Sequence, residues 1–175
     1  MVGESMSKTI ELPTQRRFAV MGDNAFRIAY KLSGNQTICR LLKYQSRNAL
    51  DTTVYPDVNG LELINKQLLI VPKIYDDSTE KMSYVTAIFD NFVVNQINPE
   101  FKISTIRFDI ACPYDEWVLD AKSLRPYIIM QEIDTMFNEA QMAGIGTLQF
   151  YRAYALTLTP WIGGYSMEYK INEFN

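Results

Sequence analysis

Three pairs of neighbouring carboxylates are the side chains of this sequence most able to act as general acids, general bases or Mg²⁺ ligands. The pairs are Asp76 with Asp77, Asp115 with Glu116, and Glu132 with Asp134. The first pair lies in a polar turn segment, and the members of the third are two residues apart on a predicted helix, which directs them to different sides. A carboxylate that acts as an acid needs burial or a like charge to raise its pKa, and the sequence indicates neither. We therefore interpret these carboxylates as solvated, and leave a functional role open for Asp115 and Glu116.

The composition excludes chemistry that depends on imidazole. The chain of 175 residues contains no histidine, so it has no Ser-His or Cys-His nucleophile pair and no histidine metal ligand. Cys39 and Cys112 lie far apart in the sequence, and we interpret them as buried, reduced thiols, with a disulfide left open. Gly144-Ile-Gly146 follows a predicted helix, whereas a phosphate-binding loop precedes one. The sequence thus predicts no enzyme, no cofactor and no metal.

The charge and hydropathy patterns favour neither a nucleic-acid-binding protein nor a membrane protein. The formal net charge is −3 and no block of basic residues occurs, whereas nucleic-acid binding depends on clustered Lys and Arg. No apolar run reaches the roughly 20 residues that a membrane helix needs. The first 13 residues lack the apolar segment of a signal peptide. We therefore expect synthesis in a reducing cytoplasm.

Hydrophobic periodicity predicts helices and strands in the order α-α-β-β-β-α-β-β. The helices are predicted at about 23–33, 37–45 and 123–142, and the strands at 67–74, 84–97, 103–112, 148–158 and 165–171. Asp23 or Asn24 is the predicted N-cap of the first helix. The third helix is predicted to begin at Ser123 and to end at Gly144. The short connections favour an α+β fold, in which a mostly antiparallel sheet is flanked by helices and Gly163-Gly164 turns the chain before the last strand.

The sequence predicts one folded domain preceded by an arm. Residues 1–13 are polar and end in Pro13, and we expect this arm to lie on a neighbouring subunit in an assembly. Residues 14–175 form the α+β domain, divided into a helical extension at 14–46 and a core at 57–175. In the 103–112 strand, polar side chains share one face, which is predicted to be solvated or to contact a polar partner. They are Thr105, Arg107 and Asp109.

Arg125 is unfavourably placed at the start of the third helix, because the helix dipole is positive there. A carboxylate close to the guanidinium would remove this conflict. Asp115, Glu116 and Asp120 are near in the sequence, which favours a salt bridge within the chain. An ion pair between subunits is the alternative.

A series of short motifs in the last two thirds of the chain resembles the tail-terminator and tail-completion proteins of tailed bacteriophages. Similar ring proteins occur in the necks of crAss-like phages. The motifs are Tyr55-Pro-Asp-Val58, the Leu68–Ile74 strand, Ile106 to Cys112, Trp117, Leu124-Arg-Pro126, Glu132-Ile-Asp134, Gly144-Ile-Gly146, and Gly164-Tyr165 leading to Tyr169. Their order and spacing carry the resemblance, which covers about residues 57–175.

The resemblance implies a structural virion protein of the neck or tail, made in the cytoplasm of a bacterial host. Such proteins form a closed homo-oligomeric ring of six or twelve copies around the DNA channel, between portal, other neck ring proteins and tail proteins. They have no catalytic residues and no cofactor, and DNA passes without sequence-specific binding. A non-viral interaction module and a small-ligand-binding or enzymatic α+β domain remain the alternatives.

A ring needs two different complementary patches on each subunit. The side chains predicted to contribute to such patches are Arg125, Asp115, Glu116, Tyr55, Asp76, Asp77 and Trp161.

Overall fold

The computed structural model describes residues 21–76, 78–94, 102–120 and 122–172, and it confirms the predicted α+β fold. The helices are α1 (Met21–Ser33), α2 (Gln36–Lys43) and α3 (Arg125–Phe137), with short 3-10 helices at Gly60–Leu63 and Tyr114–Glu116. The strands are β1 (Leu68–Leu69), β2 (Tyr84–Val94), β3 (Lys102–Pro113), β4 (Val118–Leu119), β5 (Ser123–Leu124), β6 (Gln141–Met142), β7 (Gly146–Thr157) and β8 (Ile162–Asn172). The predicted arm at 1–13 lies outside this part of the chain.

Four long strands form the centre of the main sheet, whose order is β1-β2-β3-β8-β7-β6. The pairs β2–β3, β3–β8, β7–β8 and β6–β7 are antiparallel, and only β1 pairs with its neighbour in parallel. The predicted hairpin of the last two strands is confirmed as β7–β8. Strands β4 and β5 form a separate two-stranded sheet that leads directly into α3.

The core lies between one face of the sheet and the helices. Alternate residues of β3 point into it, as the sequence predicts, and Phe108 is packed against Phe137 of α3 and Tyr169 of β8. The ring centroids are 4.9 Å and 5.7 Å from that of Phe108. Burial of each such side chain contributes about 1.5–3 kcal/mol, so this aromatic cluster is a principal reason that α3 packs on the sheet.

Helices α1 and α2 belong to the same core as the sheet. Ile28 and Leu32 of α1, together with Ile38 and Leu41 of α2, are buried against it. The sequence assigned both helices to an extension ending at residue 46, but their apolar sides complete the core. Asn35 caps α2 through its side-chain oxygen, which accepts a hydrogen bond from the N–H of Ile38 at 3.0 Å.

The start of α1 differs from the prediction. The helix begins at Met21 within the described residues, so Asp23 lies in its first turn and Asn24 is not the N-cap. The Asn24 amide instead donates to the carbonyl oxygen of Gly144 at 2.8 Å, and this bond joins α1 to the turn between β6 and β7. Gly144 has a φ of 80° in that turn and does not end a helix.

Helix α3 is shorter than the predicted 123–142 helix. Ser123 is paired opposite Leu119 in the β4–β5 sheet, so Leu124 takes the N-cap position. At the other end, Asn138 leaves the helix and Glu139 adopts a φ of 57°. Residues 141–142 pair with β7 and do not continue the helix that the periodicity predicts, because the pairing satisfies backbone groups at the edge of the sheet.

Two further segments were predicted incorrectly. The strand expected at 67–74 is reduced to Leu68–Leu69, after which the chain leaves the sheet ahead of Pro72. Gly163 and Gly164 lie within β8 and not in a turn, since the connection from β7 is made by residues 158–161. A Cβ on Gly164 would stand 1.8 Å from the carbonyl oxygen of Ile110, so the glycine allows β8 to approach β3.

The two cysteines are free and buried, which confirms the predicted reduced thiols. Burial raises the pKa of Cys39 to about 11 and that of Cys112 to about 12, because a thiolate is poorly solvated in the core. A raised folded-state pKa contributes stability below the ordinary thiol pKa, and that contribution is lost as pH rises through the folded-state value.

We expect the free energy of unfolding to fall as pH rises from about 9 towards 11, because the unfolded chain releases thiol protons that the folded chain retains. Urea unfolding at a series of pH values measures this slope. Cys39→Ala combined with Cys112→Ala should lower the stability at neutral pH but flatten the slope. An unchanged slope in the double variant would contradict the assignment to these thiols.

Candidate interaction surface

Within the described part of the chain, the outer edge of β7 is open along more than half of the strand. Strand β6 pairs only with Gly146 and Thr147, and Leu148 exchanges backbone hydrogen bonds with Glu139 and Ala140 at 2.7 and 3.2 Å. The N–H of Phe150 donates to the side-chain oxygen of Asn138 at 3.0 Å. From residue 151 to 157, no described strand pairs with the outer side. An open edge of this kind is a template for pairing with another chain.

Aromatic side chains are exposed along this open edge. Phe150, Tyr151 and Tyr154 are 45%, 49% and 39% exposed. Tyr151 lies at a β-bulge, where the register with β8 shifts, and the ammonium of Lys170 lies 3.7 Å from its ring centroid. Exposed aromatic side chains are enriched at protein interfaces.

A shallow groove of about 310 Å³ separates β7 from α3. Tyr127 and Met130 of α3 form one side, Phe150 forms the other, and Met167 lies between them. The hydroxyl groups of Tyr127 and Tyr165 are hydrogen-bonded at 2.7 Å. The carboxylate of Asp134 accepts a hydrogen bond from the Tyr169 hydroxyl at 2.8 Å. Gln131 and Asn138 also line the groove, so its apolar and aromatic surface is bordered by polar side chains.

The comparisons with known proteins give a family. A family model named YomW matches residues 35–171, from the N-cap of α2 to the last residue but one of β8. The chain belongs to the YomW family. The family name comes from a bacteriophage region, and the chain is therefore a phage-associated protein. No curated protein and no solved structure matches the chain, so the assignment rests on the family model.

The matched range covers every long strand of this YomW-family chain. It also includes α2, which the sequence analysis had assigned to a helical extension outside the core at 57–175. Across the ranges that the structure describes, no helix is long and apolar enough to cross a membrane. The same residues contain no group of three or more Cys, Asp or Glu side chains placed to hold a metal ion.

The sheet face turned away from the helices carries a charged network. Thr105, Arg107 and Asp109 share this face, as the sequence predicts. The guanidinium of Arg107 contacts the carboxylates of Asp90 and Asp109, and Asp109 also accepts a hydrogen bond from Ser166 at 2.7 Å. Much of the charge is therefore paired within the subunit.

A second ion pair on this face links β7 and β8, the two strands of the C-terminal hairpin. Glu168 is 3% exposed, and Arg152 of β7 binds its two oxygens at 2.8 and 2.9 Å. The hydroxyl of Tyr154 donates to the same carboxylate at 3.3 Å. In the sequence, Arg152 interrupts the apolar alternation of the β7 segment. This interruption coincides with the β-bulge between Phe150 and Arg152, and the arginine at this position pairs with the buried carboxylate of Glu168.

The structure corrects the prediction for Arg125. Its side chain is fully buried, and among the described residues it is hydrogen-bonded to backbone carbonyl oxygens and to no carboxylate. The guanidinium donates to the carbonyls of Leu41, Tyr44, Ser46 and Glu116. The C-terminal end of α2 leaves carbonyl groups without helical partners, and Arg125 satisfies them. Burial lowers the pKa of the guanidinium, and a buried Arg125 is not available to a second subunit.

Asp115 and Glu116 lie in the 3-10 helix Tyr114–Glu116. Asp115 is exposed, whereas Glu116 is half-buried, and its burial raises the pKa of the carboxyl group. The N–H of Tyr114 donates to the carbonyl of Trp161 at 2.9 Å, so the structure brings the predicted residue Trp161 beside this segment. Their role at an interface stays a prediction.

The remaining predicted interface residues lie elsewhere. Tyr55 is half-buried and stacks on Tyr44, with ring centroids 4.3 Å apart. Asp76 is exposed and stabilises its own turn, accepting hydrogen bonds from the N–H and the hydroxyl of Ser78 at 3.0 and 2.7 Å. Asp77 falls outside the described residues. Sequence reasoning missed the open edge of β7, because the outer strand of a sheet is defined by its topology.

Proposed function

We propose that this YomW-family chain is a structural virion protein that forms an oligomeric ring in the neck or tail of a phage, around the DNA channel. The family's phage association supports the setting. The observation that carries the assembly role is the open edge of β7 with its exposed aromatic side chains. Such an edge favours the docking of another protein chain over a reaction centre.

The proposal includes the partners and the location. The ring contains six or twelve copies, stacks on portal or other neck ring proteins and on tail proteins, and remains in the mature virion. No cofactor takes part. The net charge of the chain is −3, so DNA passes through the ring without sequence-specific binding. We expect the inner wall to carry acidic or neutral side chains.

A second candidate is an interaction module that binds one partner protein as a monomer. The apolar groove between α3 and β7 favours it, because Tyr127, Met130 and Phe150 offer a surface for a helix or an extended segment. A defined one-to-one complex, without rings, would support this candidate over the ring.

Virion composition and location test the proposed function. Purified particles of the phage that encodes the chain should contain the protein in a fixed ratio to the portal protein when measured by quantitative mass spectrometry. Immunogold labelling should place it at the junction of head and tail or along the tail. Particles that are infectious and lack the protein would contradict the proposal.

A further inference from the structure

We propose that the open edge of β7 in one copy pairs with the outer edge of β2 in the next copy, head to tail, so that the sheets of neighbouring subunits become continuous. This inference rests on the proposed ring and names the surface that builds it. The occupant of the β7 edge is thus a second copy of this chain.

The opposite side of the sheet offers the second patch. Strand β1 pairs only with Val85 and Thr86 of β2. Beyond Thr86, no strand among the described residues lies on the outer side of β2, so 88–94 forms an open edge of the same length as 151–157 of β7. A head-to-tail ring requires two different patches on each subunit, and the two edges meet that requirement.

The directions of the strands match this arrangement. Strands β2, β3, β8 and β7 alternate in direction, so β2 and β7 run in opposite directions within one subunit. Placing two copies side by side in the same orientation therefore brings β7 of one beside β2 of the other as an antiparallel pair.

The two open segments are offset along the strand direction, so each lies towards a different end of the strands. Ile88 of β2 lies opposite Arg107 of β3. Arg107 lies opposite Glu168, which lies opposite Arg152 of β7. The open part of β7 is therefore level with the start of β2, and full pairing shifts the copies along the strands. Such a shift tilts the strands relative to the ring axis, as in every closed sheet.

Ring closure favours β2 over a second β7 as the partner. Pairing of two β7 strands about a twofold axis gives a closed dimer in which both β2 edges stay open, whereas pairing of β7 with β2 leaves one edge of each kind for the next copy. Arg152 is paired with Glu168 and Asp90 with Arg107 within the subunit, so these charges do not decide the partner.

A proline in β7 can block the edge without disturbing the hairpin. The N–H of Leu158 donates to the carbonyl of Ile162 at 3.1 Å, towards β8. Because donors alternate along a strand, the N–H of Ala155 points away from β8, and a proline there removes only an outward donor. Ala155 is exposed, and Ala155→Val keeps the donor as a matched control.

We expect Ala155→Pro to weaken each contact between copies by about tenfold, which corresponds to about 1.4 kcal/mol, so that the ring fraction falls at least as steeply. Ala155→Val should form rings like the wild type. Mass photometry measures the ring fraction, and urea unfolding checks that both variants are folded. Thr157→Pro, which also removes an outward donor, replaces Ala155→Pro if the latter is unfolded.

Co-expression then tests the choice of edges. Tagged Ala155→Pro keeps a free β2 edge, so it should capture untagged wild type as open arcs or pairs. Capture of no wild-type chain would indicate symmetric pairing of β7 strands and would overturn the inference. Rings of Ala155→Pro equal to those of the wild type would also overturn it but leave the proposed function intact. A wild type that forms no oligomer, alone or with a portal partner, contradicts both.

Discussion

Replacement of Arg125 by methionine is expected to lower the free energy of unfolding by about 3–5 kcal/mol. The side chain is fully buried and its guanidinium donates to four backbone carbonyls. Methionine fills a similar volume but leaves those carbonyls buried without donors, and each unpaired group costs about 1–3 kcal/mol. Urea unfolding followed by circular dichroism measures the loss.

Two controls separate this effect from a general loss of positive charge. Arg125→Lys keeps the charge but cannot reproduce the planar fork of donors, so most of the loss should remain. Arg47→Met removes an exposed arginine that lies 3.8 Å from Asp120, and it should change the stability by less than about 1 kcal/mol. Equal stability of the Arg125→Met variant and the wild type would contradict the structural role given to Arg125.

Replacement of Gly164 by alanine is expected to lower the free energy of unfolding by about 3 kcal/mol or more. The new Cβ would lie 1.8 Å from the carbonyl oxygen of Ile110, a backbone atom that cannot rotate away. Strands β3 and β8 would have to separate at the centre of the sheet. Thermal and urea unfolding of the variant measure the effect.

Two other glycines make a graded series with Gly164. Gly163→Ala meets the hydroxyl of Tyr114 at 2.2 Å, an exposed side chain that can move, so the loss should be smaller. Gly22→Ala meets nothing within 4 Å and lies in α1, where alanine should stabilise by about 0.5–1 kcal/mol. Similar losses at Gly164 and Gly22 would show that the approach of β8 to β3 is not the cause.

The periodic parts of the fold could be predicted from the sequence. The alternation around Phe108 defines β3, and the alternation from Tyr165 to Ile171 defines β8, because each strand has one face in the core and one outside. Within the strand predicted at 84–97, β2 has a register shift between Asp90 and Val93 and a φ of 52° at Asn91.

The ends of elements and the interaction surface could not be predicted in the same way. The predicted C-terminal part of the third helix becomes β6, because pairing with β7 competes with a continued helix. Three partners of Arg125 are backbone carbonyls about 80 residues earlier in the chain, at Leu41, Tyr44 and Ser46. Every residue has a backbone carbonyl, so the residue types do not indicate which ones Arg125 binds. The open edge of β7 likewise depends on how little of β7 the outermost strand, β6, covers.

Mass photometry of the purified chain, with negative-stain imaging of the same sample, tests the central claim that this protein is a ring-forming virion component. We expect closed rings of six or twelve copies, formed by the chain alone or on addition of its portal or tail partner. A strict monomer under both conditions would contradict the ring and favour a module that binds a single partner.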